Sequence, residues 1–158
     1  MRNVKAYINS SSRDTKQRWG MVLAETSVTA LMTPAPLKSY ITNKSALSNG
    51  KQVLTDSGNV PKVDERDVQL VFAIHAHTLA KFLMQYHAFC DELKKGAIDL
   101  TLYVWEGDSY IKTTYYLNYV SCSQFSEYNG RLGRFVLKLN EPNPANRTIE
   151  HSSDIELW

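Results

Sequence analysis

Cysteine is scarce in this chain: its 158 residues include two, Cys90 and Cys122, and these share no C-x-x-C spacing. Disulfide-held secreted domains and structural zinc sites both need paired or clustered cysteines. The sequence therefore predicts two free, buried thiols and excludes a disulfide framework or a zinc site. A bacterial or viral protein that is made and assembled in a reducing cytoplasm uses cysteine in this way.

Long apolar runs are also missing. The most apolar stretch, around residues 70–89, is interrupted by polar side chains, namely His75, His77, Lys81, Gln85 and His87. A transmembrane helix needs about 20 mostly apolar residues in a row, and a signal peptide needs a continuous apolar segment that Met1–Ser10 does not provide. We therefore expect neither a membrane span nor a secretory leader.

Charge of one sign is not in excess either, because 18 Lys and Arg balance 16 Asp and Glu to a formal net charge of +2. Domains that bind nucleic acid usually carry a clustered basic patch and a more basic overall composition. The composition therefore argues against direct binding of nucleic acid.

Familiar catalytic signatures do not occur: the chain has no G-x-S-x-G, H-E-x-x-H or Walker A sequence, and no G-x-G-x-x-G after a strand. His75 and His77 would project from one side of a strand, but no third metal ligand is evident in the sequence. Asp91 and Glu92 are adjacent in a predicted helix and would point in different directions. We expect a protein that is not an enzyme and that binds no metal or cofactor.

The length fits one domain, since single domains most often contain about 100–150 residues. We expect this domain to cover residues 1–147 and a polar tail to cover residues 148–158. Pro142 and Pro144 mark the boundary, because proline ends a strand by removing a backbone donor.

The N-terminal half predicts little regular structure beyond a strand at Val4–Ile8. Residues 9–18 are polar and indicate an exposed loop, and Thr33–Pro36 breaks the next apolar segment. Residues 43–63 contain Ser-Asn-Gly, Asp-Ser-Gly and a proline in a polar background, which indicates an extended surface loop or arm.

The strongest single pattern predicts an amphipathic helix over about residues 78–95. Thr78 is a suitable N-cap, and Gly96 can adopt the left-handed conformation that ends a helix. Apolar residues recur at helical spacing on one face, namely Leu79, Phe82, Leu83, Tyr86, Phe89, Cys90 and Leu93.

Strands with alternating apolar residues flank this helix. Residues 68–75 precede it, residues 98–104 follow it, and residues 134–140 form a later strand. Gly107 stands first in a two-residue loop, as a type II′ hairpin prefers, and the next strand covers Tyr110–Val120. Pairing Glu106 with Ser109 places apolar residues on one face throughout the hairpin. The expected fold class is α+β and mainly β: an antiparallel β-sandwich or small barrel with one flanking helix.

The opposite face of the same hairpin is rich in aromatic side chains and carries one lysine. Its members are Tyr103, Trp105, Tyr110, Lys112 and Tyr116. Such a face is consistent with a subunit interface, with packing inside the chain, or with binding of single-stranded nucleic acid or a carbohydrate. We take these five residues as the candidate interface or binding face.

Four segments carry a more specific pattern, namely Arg66-Asp-Val-Gln-Leu-Val-Phe72, the helix pattern from Phe82 to Gly96, Tyr119-Val-Ser-Cys-Ser-Gln-Phe125, and Phe135-Val-Leu-Lys-Leu-Asn-Glu-Pro-Asn-Pro144. Together they resemble the tail proteins of siphophages and prophages, especially tail-tube and distal-tail proteins. The resemblance covers residues 66–147, which is about half of the chain.

This resemblance implies a structural protein that closes into a ring, typically a hexamer, and stacks on other tail proteins. It implies a location in the virion tail, after assembly in the cytoplasm of the bacterial host. The alternative is a monomeric binding module that uses the aromatic face.

Overall fold

The fold is an antiparallel sheet that is bent into a sandwich-like shape and covered by helices. The computed structural model describes residues 3–56 and 58–153. In chain order the elements are β1 (Asn3–Ile8), α1 (Thr15–Trp19), β2 (Met21–Leu23), α2 (Glu25–Met32), β3 (Thr42–Asn43), β4 (Gln52–Val53), β5 (Arg66–His75), α3 (Leu79–Leu93), β6 (Ala97–Glu106), β7 (Ser109–Tyr128), β8 (Leu132–Glu141) and β9 (Thr148–His151).

The long strand β7 joins the two halves of the sandwich. The strand order is β1-β6-β7-β8-β5-β2, and β9 also pairs with β7. One edge of β7 pairs with β6 along residues 109–118, whereas the other edge pairs first with β9 and then with β8. Register shifts after Tyr119 and after Cys122 mark irregularities of the kind that bend a strand. Within the described residues the end strands β1 and β2 are not paired with each other, so the sheet is an open sandwich and not a small barrel.

The predicted hairpin is confirmed in every pair of its register. Glu106 lies opposite Ser109, Val104 opposite Ile111, Leu102 opposite Thr113, Leu100 opposite Tyr115, and Ile98 opposite Leu117. Gly107 has a φ of 60°, which a type II′ turn requires at its first loop position. The strand predictions at residues 4–8, 68–75 and 134–140 are confirmed as β1, β5 and β8.

Helix α3 is also confirmed, with one correction to its buried face. The Thr78 side chain accepts a hydrogen bond from the Lys81 backbone N–H and caps the helix as expected. Phe82 and Phe89 are buried against the sheet, but Leu79 and Leu83 are 55% and 45% exposed. The surface of α3 that contacts β5 and β8 is narrower than its apolar face. The apolar face therefore predicts more buried side chains than the helix has.

The N-terminal half contains two helices that the sequence analysis missed. In the predicted loop at 9–18, Asp14 accepts a hydrogen bond from the Gln17 backbone N–H and starts α1, whose Trp19 ring lies 5.3 Å from the Phe89 ring. Helix α2 has no side-chain N-cap bond and buries two apolar residues, Val28 and Leu31. Helix α1 does carry local signals, the Asp14 N-cap and Gly20 at its end, but its five residues are too few to show helical periodicity. Helix α2 lacks even the N-cap signal.

The predicted tail at 148–158 is wrong in its first part. Residues Thr148–His151 form β9 and pair with Ile111–Thr114 of β7, whereas residues 154–158 lie outside the described residues. Only one apolar residue, Ile149, alternates with polar neighbours in this segment. Residues 148–151 form a strand because β7 has a free edge with which they can pair. That edge is formed by the tertiary structure, so the sequence of residues 148–151 gives no sign of it.

Two buried carboxylates, those of Glu141 and Glu92, each bind several charged or polar side chains. The Glu141 carboxylate is bound by Arg66 and Arg147, with the Arg147 Nη2 atom 2.7 Å from Oε1. Glu92 on α3 accepts a hydrogen bond from Asn9 and lies 2.9 Å from the Lys95 ammonium. Burial acts to raise the pKa of Glu92, but the hydrogen bonds from Asn9 and Lys95 outweigh it and hold this pKa below its usual value.

Both cysteines are free, as expected, but neither is fully buried. Cys90 on α3 is half-buried and Cys122 on β7 is exposed. Cys122 lies beside the β7 irregularity, where the strand's side chains do not alternate regularly between core and solvent.

Candidate functional site

The five candidate residues all lie on the outer face of the β1–β6–β7–β9 half. Odd-numbered residues of β6 and even-numbered residues of β7 share this face, because Tyr103 pairs with Lys112 and Trp105 pairs with Tyr110. All five side chains are half-buried. The predicted register is enough to place these five residues on one face. The same register is compatible with a subunit interface, with packing inside the chain and with a binding face.

Three of the five form one aromatic cluster at the hairpin end of the sheet. The Tyr103 ring lies 5.1 Å from both the Trp105 ring and the Tyr110 ring, and it is stacked on Tyr110. The Lys5 ammonium from β1 lies 5.3 Å from the centre of the Trp105 ring, within the range of a cation–π contact. The cluster is therefore held by contacts within the chain and still presents surface to solvent.

The other two candidates connect β7 to β9. The Lys112 ammonium is 3.9 Å from the Glu150 carboxylate, and the Tyr116 hydroxyl is 3.1 Å from the Thr148 hydroxyl. Tyr116 lies two residue rows away from the Tyr103–Lys112 pair, so it is separate from the aromatic cluster. The strand β9, which was predicted as tail, is thus part of this face.

A polar groove crosses β1, β6, β7 and β9, between the row that contains Tyr103 and Lys112 and the row that contains Tyr116. Its floor is the row Tyr7, Thr101, Thr114 and Thr148, in which each residue pairs directly with the next. One wall is the row of Tyr103, Lys112 and Glu150, and the other holds Asp99 and Tyr116. The groove has a volume of about 480 Å³, and Ser10, Ser11 and Ser12 close it beside β1.

The groove was not predicted, although part of its signal is present in the sequence. Tyr7 alternates with Ala6 and Ile8 in the predicted strand Val4–Ile8, so alternation could have placed Tyr7 on the face opposite these apolar residues. The same alternation placed Asp99, Thr101 and Thr114 beside the candidate residues. The part of the groove that β9 forms had no comparable signal, because β9 pairs with residues of β7 that are about 35 residues earlier in the chain.

The inner face of the same hairpin ends in an apolar cleft beside α2. The cleft has a volume of about 360 Å³ and lies between Val28 and Met32 of α2 and Val104 and Ile111 of the hairpin. Met32 is 67% exposed and Ile111 is 44% exposed. The hairpin therefore extends beyond the core and leaves apolar surface uncovered.

The predicted arm is a long two-stranded ribbon that leaves the domain after α2. Its base is held by the Leu37–Val63 bridge and by a hydrogen bond from the Lys38 N–H to the Lys62 carbonyl. Further out, β3 pairs with β4. Many apolar side chains on the ribbon are exposed, namely Leu37, Tyr40, Ile41, Leu47, Val53, Leu54, Val60 and Val63.

Among residues 3–56 and 58–153, no three His, Cys, Asp or Glu side chains are grouped in a way that could hold a metal ion. In the same part of the chain, no helix combines the length and apolar character needed to cross a membrane.

No protein-family model matches this chain, and no curated protein matches it in sequence. Among solved structures, the fold is similar to the crystal structure of Dit (gp 19.1) from SPP1, which is described as a paradigm of the hub adsorption apparatus in phages that infect Gram-positive bacteria. The TM-score is 0.58 with 12% sequence identity, and the match covers 90% of this chain and 51% of that chain. The chain thus spans about half the length of the protein it matches, and the likeness is one of fold.

Proposed function

We propose that this chain is a structural component of a phage or prophage tail that assembles with copies of itself into a ring. The proposed location is the virion tail, after assembly in the host cytoplasm, with other tail proteins above and below the ring. The fold likeness to a hub protein supports this proposal, and so does the sequence resemblance of residues 66–147 to tail proteins. Because one fold can host many functions, the proposal also depends on the exposed surfaces of this chain.

The observation that carries the proposal is the exposed apolar arm on a chain that also has an uncovered apolar cleft. Exposed apolar surface of this extent usually marks a site of association. The arm carries Ile41, Leu47 and Leu54 on the surface, and the cleft carries Met32 and Ile111. We place the arm of one copy on the cleft of the next.

Such a contact joins two different surfaces of identical chains, so it is heterologous. Heterologous contacts generate closed rings when the rotation between copies divides a full turn, and open filaments when it does not. From Leu37 to Leu47 the arm extends at most about 35 Å, since an extended chain spans about 3.3–3.6 Å per residue. That reach is sufficient to contact a neighbouring copy. The family resemblance favours a hexamer, and the likeness to a hub protein favours a hub ring over a tube subunit.

The test is the solution mass of the full chain by light scattering over a concentration series, with negative-stain images of any large species. We expect a species of about six times the 18.0 kDa chain mass that appears as a ring. The variant Leu47→Asp should shift the series to monomer, because the exposed arm tip would lose its apolar contact. Met84→Asp is the matched control, since Met84 is 73% exposed on α3, away from both the arm and the cleft.

Two results would contradict the proposal. A monomer at every concentration would show that the chain does not assemble by itself. An equal loss of assembly in Leu47→Asp and Met84→Asp would show that added charge acts generally and that the arm has no special part.

A further inference from the structure

The polar groove on the outer sheet face has a shape that the strand register explains. Three of the four residues in the floor row are threonines, namely Thr101, Thr114 and Thr148, and the threonine side chain is short. The flanking rows carry long side chains, with Tyr103 on one side and Tyr116 on the other. Because residues two apart in a strand are about 7 Å apart, the two walls stand about 13 Å apart across the threonine floor.

Nine of the twelve residues that line the groove carry a hydroxyl group. The Thr101 and Thr114 hydroxyls are 3.0 Å apart, and the Tyr116 and Thr148 hydroxyls are 3.1 Å apart. Each hydroxyl has one donor and two acceptor sites, so one mutual hydrogen bond leaves each pair with capacity for a ligand. The rings of Tyr103 and Tyr116 stand in the two walls, and Tyr7 ends the floor row.

The charges in the groove disfavour a polyanion. Asp99 and Glu150 contribute two carboxylates, and the ammonium of Lys112 is 3.9 Å from Glu150. Single-stranded nucleic acid is bound by positively charged grooves that neutralise its phosphates. Lys5 of β1 continues the row of Tyr103 and Lys112, so two ammonium groups balance the two carboxylates. A phosphate chain would therefore meet no excess of positive charge, whereas an uncharged ligand would meet a nearly neutral surface.

We infer that this groove binds a neutral oligosaccharide. Sugar hydroxyls exchange hydrogen bonds with the threonine and tyrosine hydroxyls and with the Asp99 carboxylate, and the apolar faces of sugar rings pack on the tyrosine rings. The groove crosses four strands that are about 4.8 Å apart, so it is long enough for a short chain of sugar units. The groove shares no lining residue with the arm or the cleft, although Tyr110, on which Tyr103 is stacked, lines the cleft.

The experiment is isothermal titration of the full chain with neutral tetrasaccharides, namely chitotetraose, cellotetraose, maltotetraose and mannotetraose, and with the oligonucleotide dT12. We expect at least one tetrasaccharide to bind and dT12 not to bind. Tyr103→Ala should weaken binding at least tenfold, and Thr114→Val should weaken it severalfold, because valine keeps the threonine shape and removes its hydroxyl.

Matched controls come from the same strand. Thr113→Val changes the neighbouring residue on the opposite face, and Tyr128→Ala removes a 54% exposed tyrosine at the far end of β7. Neither should change the affinity, and the thermal midpoint of each variant shows that it is folded.

Three results would overturn the inference. These are no binding of any tetrasaccharide at millimolar concentration, equal weakening by the control variants, or binding of dT12 that depends on Tyr103. Light scattering of Thr114→Val separates this result from the ring proposal, because the assembly of this variant should match that of the unaltered chain.

Discussion

Glu141 is fully buried and links three parts of the chain. Its carboxylate receives two hydrogen bonds from Arg147, at 2.8 and 2.7 Å, and this arginine leads into β9. Arg66 Nε lies 2.9 Å from the same carboxylate, a charge contact without a well-aligned hydrogen bond. The Arg66 Nη1 atom also donates to the Leu31 and Thr33 carbonyls at the end of α2. One carboxylate therefore positions both α2 and the approach to β9.

The variant Glu141→Gln should lower the free energy of unfolding by about 3–5 kcal/mol. Removing one member of a buried ion cluster leaves the remaining charges desolvated and uncompensated, and here two arginines lose their partner. The measurement is urea unfolding followed by circular dichroism.

Asp91→Asn is the matched control for this carboxylate. Asp91 pairs with Lys94, but both side chains are more than 70% exposed, so the loss should stay below about 1 kcal/mol. A loss below 1 kcal/mol in Glu141→Gln as well would show that the buried cluster does not stabilise the fold.

At the scale of the element, α3 covers the sheet through an aromatic contact. Phe89 lies 5.3 Å from the Phe135 ring and 5.9 Å from the Phe72 ring, so one helix residue touches both β5 and β8. Two turns earlier, Phe82 packs over Gly133, where an added Cβ would come within 3.0 Å of its ring. The absence of a side chain at residue 133 therefore permits the close approach of helix and sheet.

Phe82→Ala should cost about 3–5 kcal/mol of stability, because it leaves a cavity between α3 and the sheet at a side chain that is 2% exposed. Leu83→Ala is the control on the next helix position, where the side chain is 45% exposed, and should cost less than about 1 kcal/mol. Chemical unfolding of the two variants measures both values. Similar costs for the two variants would mean that the helix is rotated from the orientation described here.

At the scale of the whole molecule, β7 makes the two halves of the sandwich one unit. Its twenty residues pair with β6 and β9 in one half and with β8 in the other. Neither half can separate without breaking pairs along this strand. The base of the arm, by contrast, is held by a few backbone hydrogen bonds, and the β3–β4 pairing lies within the arm itself.

Hydrogen exchange of the backbone amides should therefore report one cooperative domain and one separate arm. Amides of β6 and β8 should exchange with similar opening free energies, close to that of global unfolding, because β7 connects them. Amides of residues 38–62 should exchange much faster in dilute, unassembled protein. Exchange measured by mass spectrometry on peptides from each region gives the comparison, and much weaker protection of β6 than of β8 would contradict a single unit.

The sequence by itself determined the elements whose signals are local. The turn at Gly107 and the alternation on both sides of it determined the whole β6–β7 register, and therefore which residues share the Tyr103 face. Thr78 and the helical spacing after it determined α3. A two-residue turn and a capped helix need only neighbouring residues, so these predictions did not depend on the rest of the fold.

Only the tertiary structure decided the parts that depend on residues far apart in the chain. Helix α1 is short and polar, and its buried Trp19 packs on Phe89, 70 residues later. Strand β9 exists because the long β7 offers it a free edge, and this strand completes the groove wall that Glu150 provides. The sandwich, the cleft and the groove are all formed where such distant segments meet, and alternation within one segment does not specify which other segment it will meet.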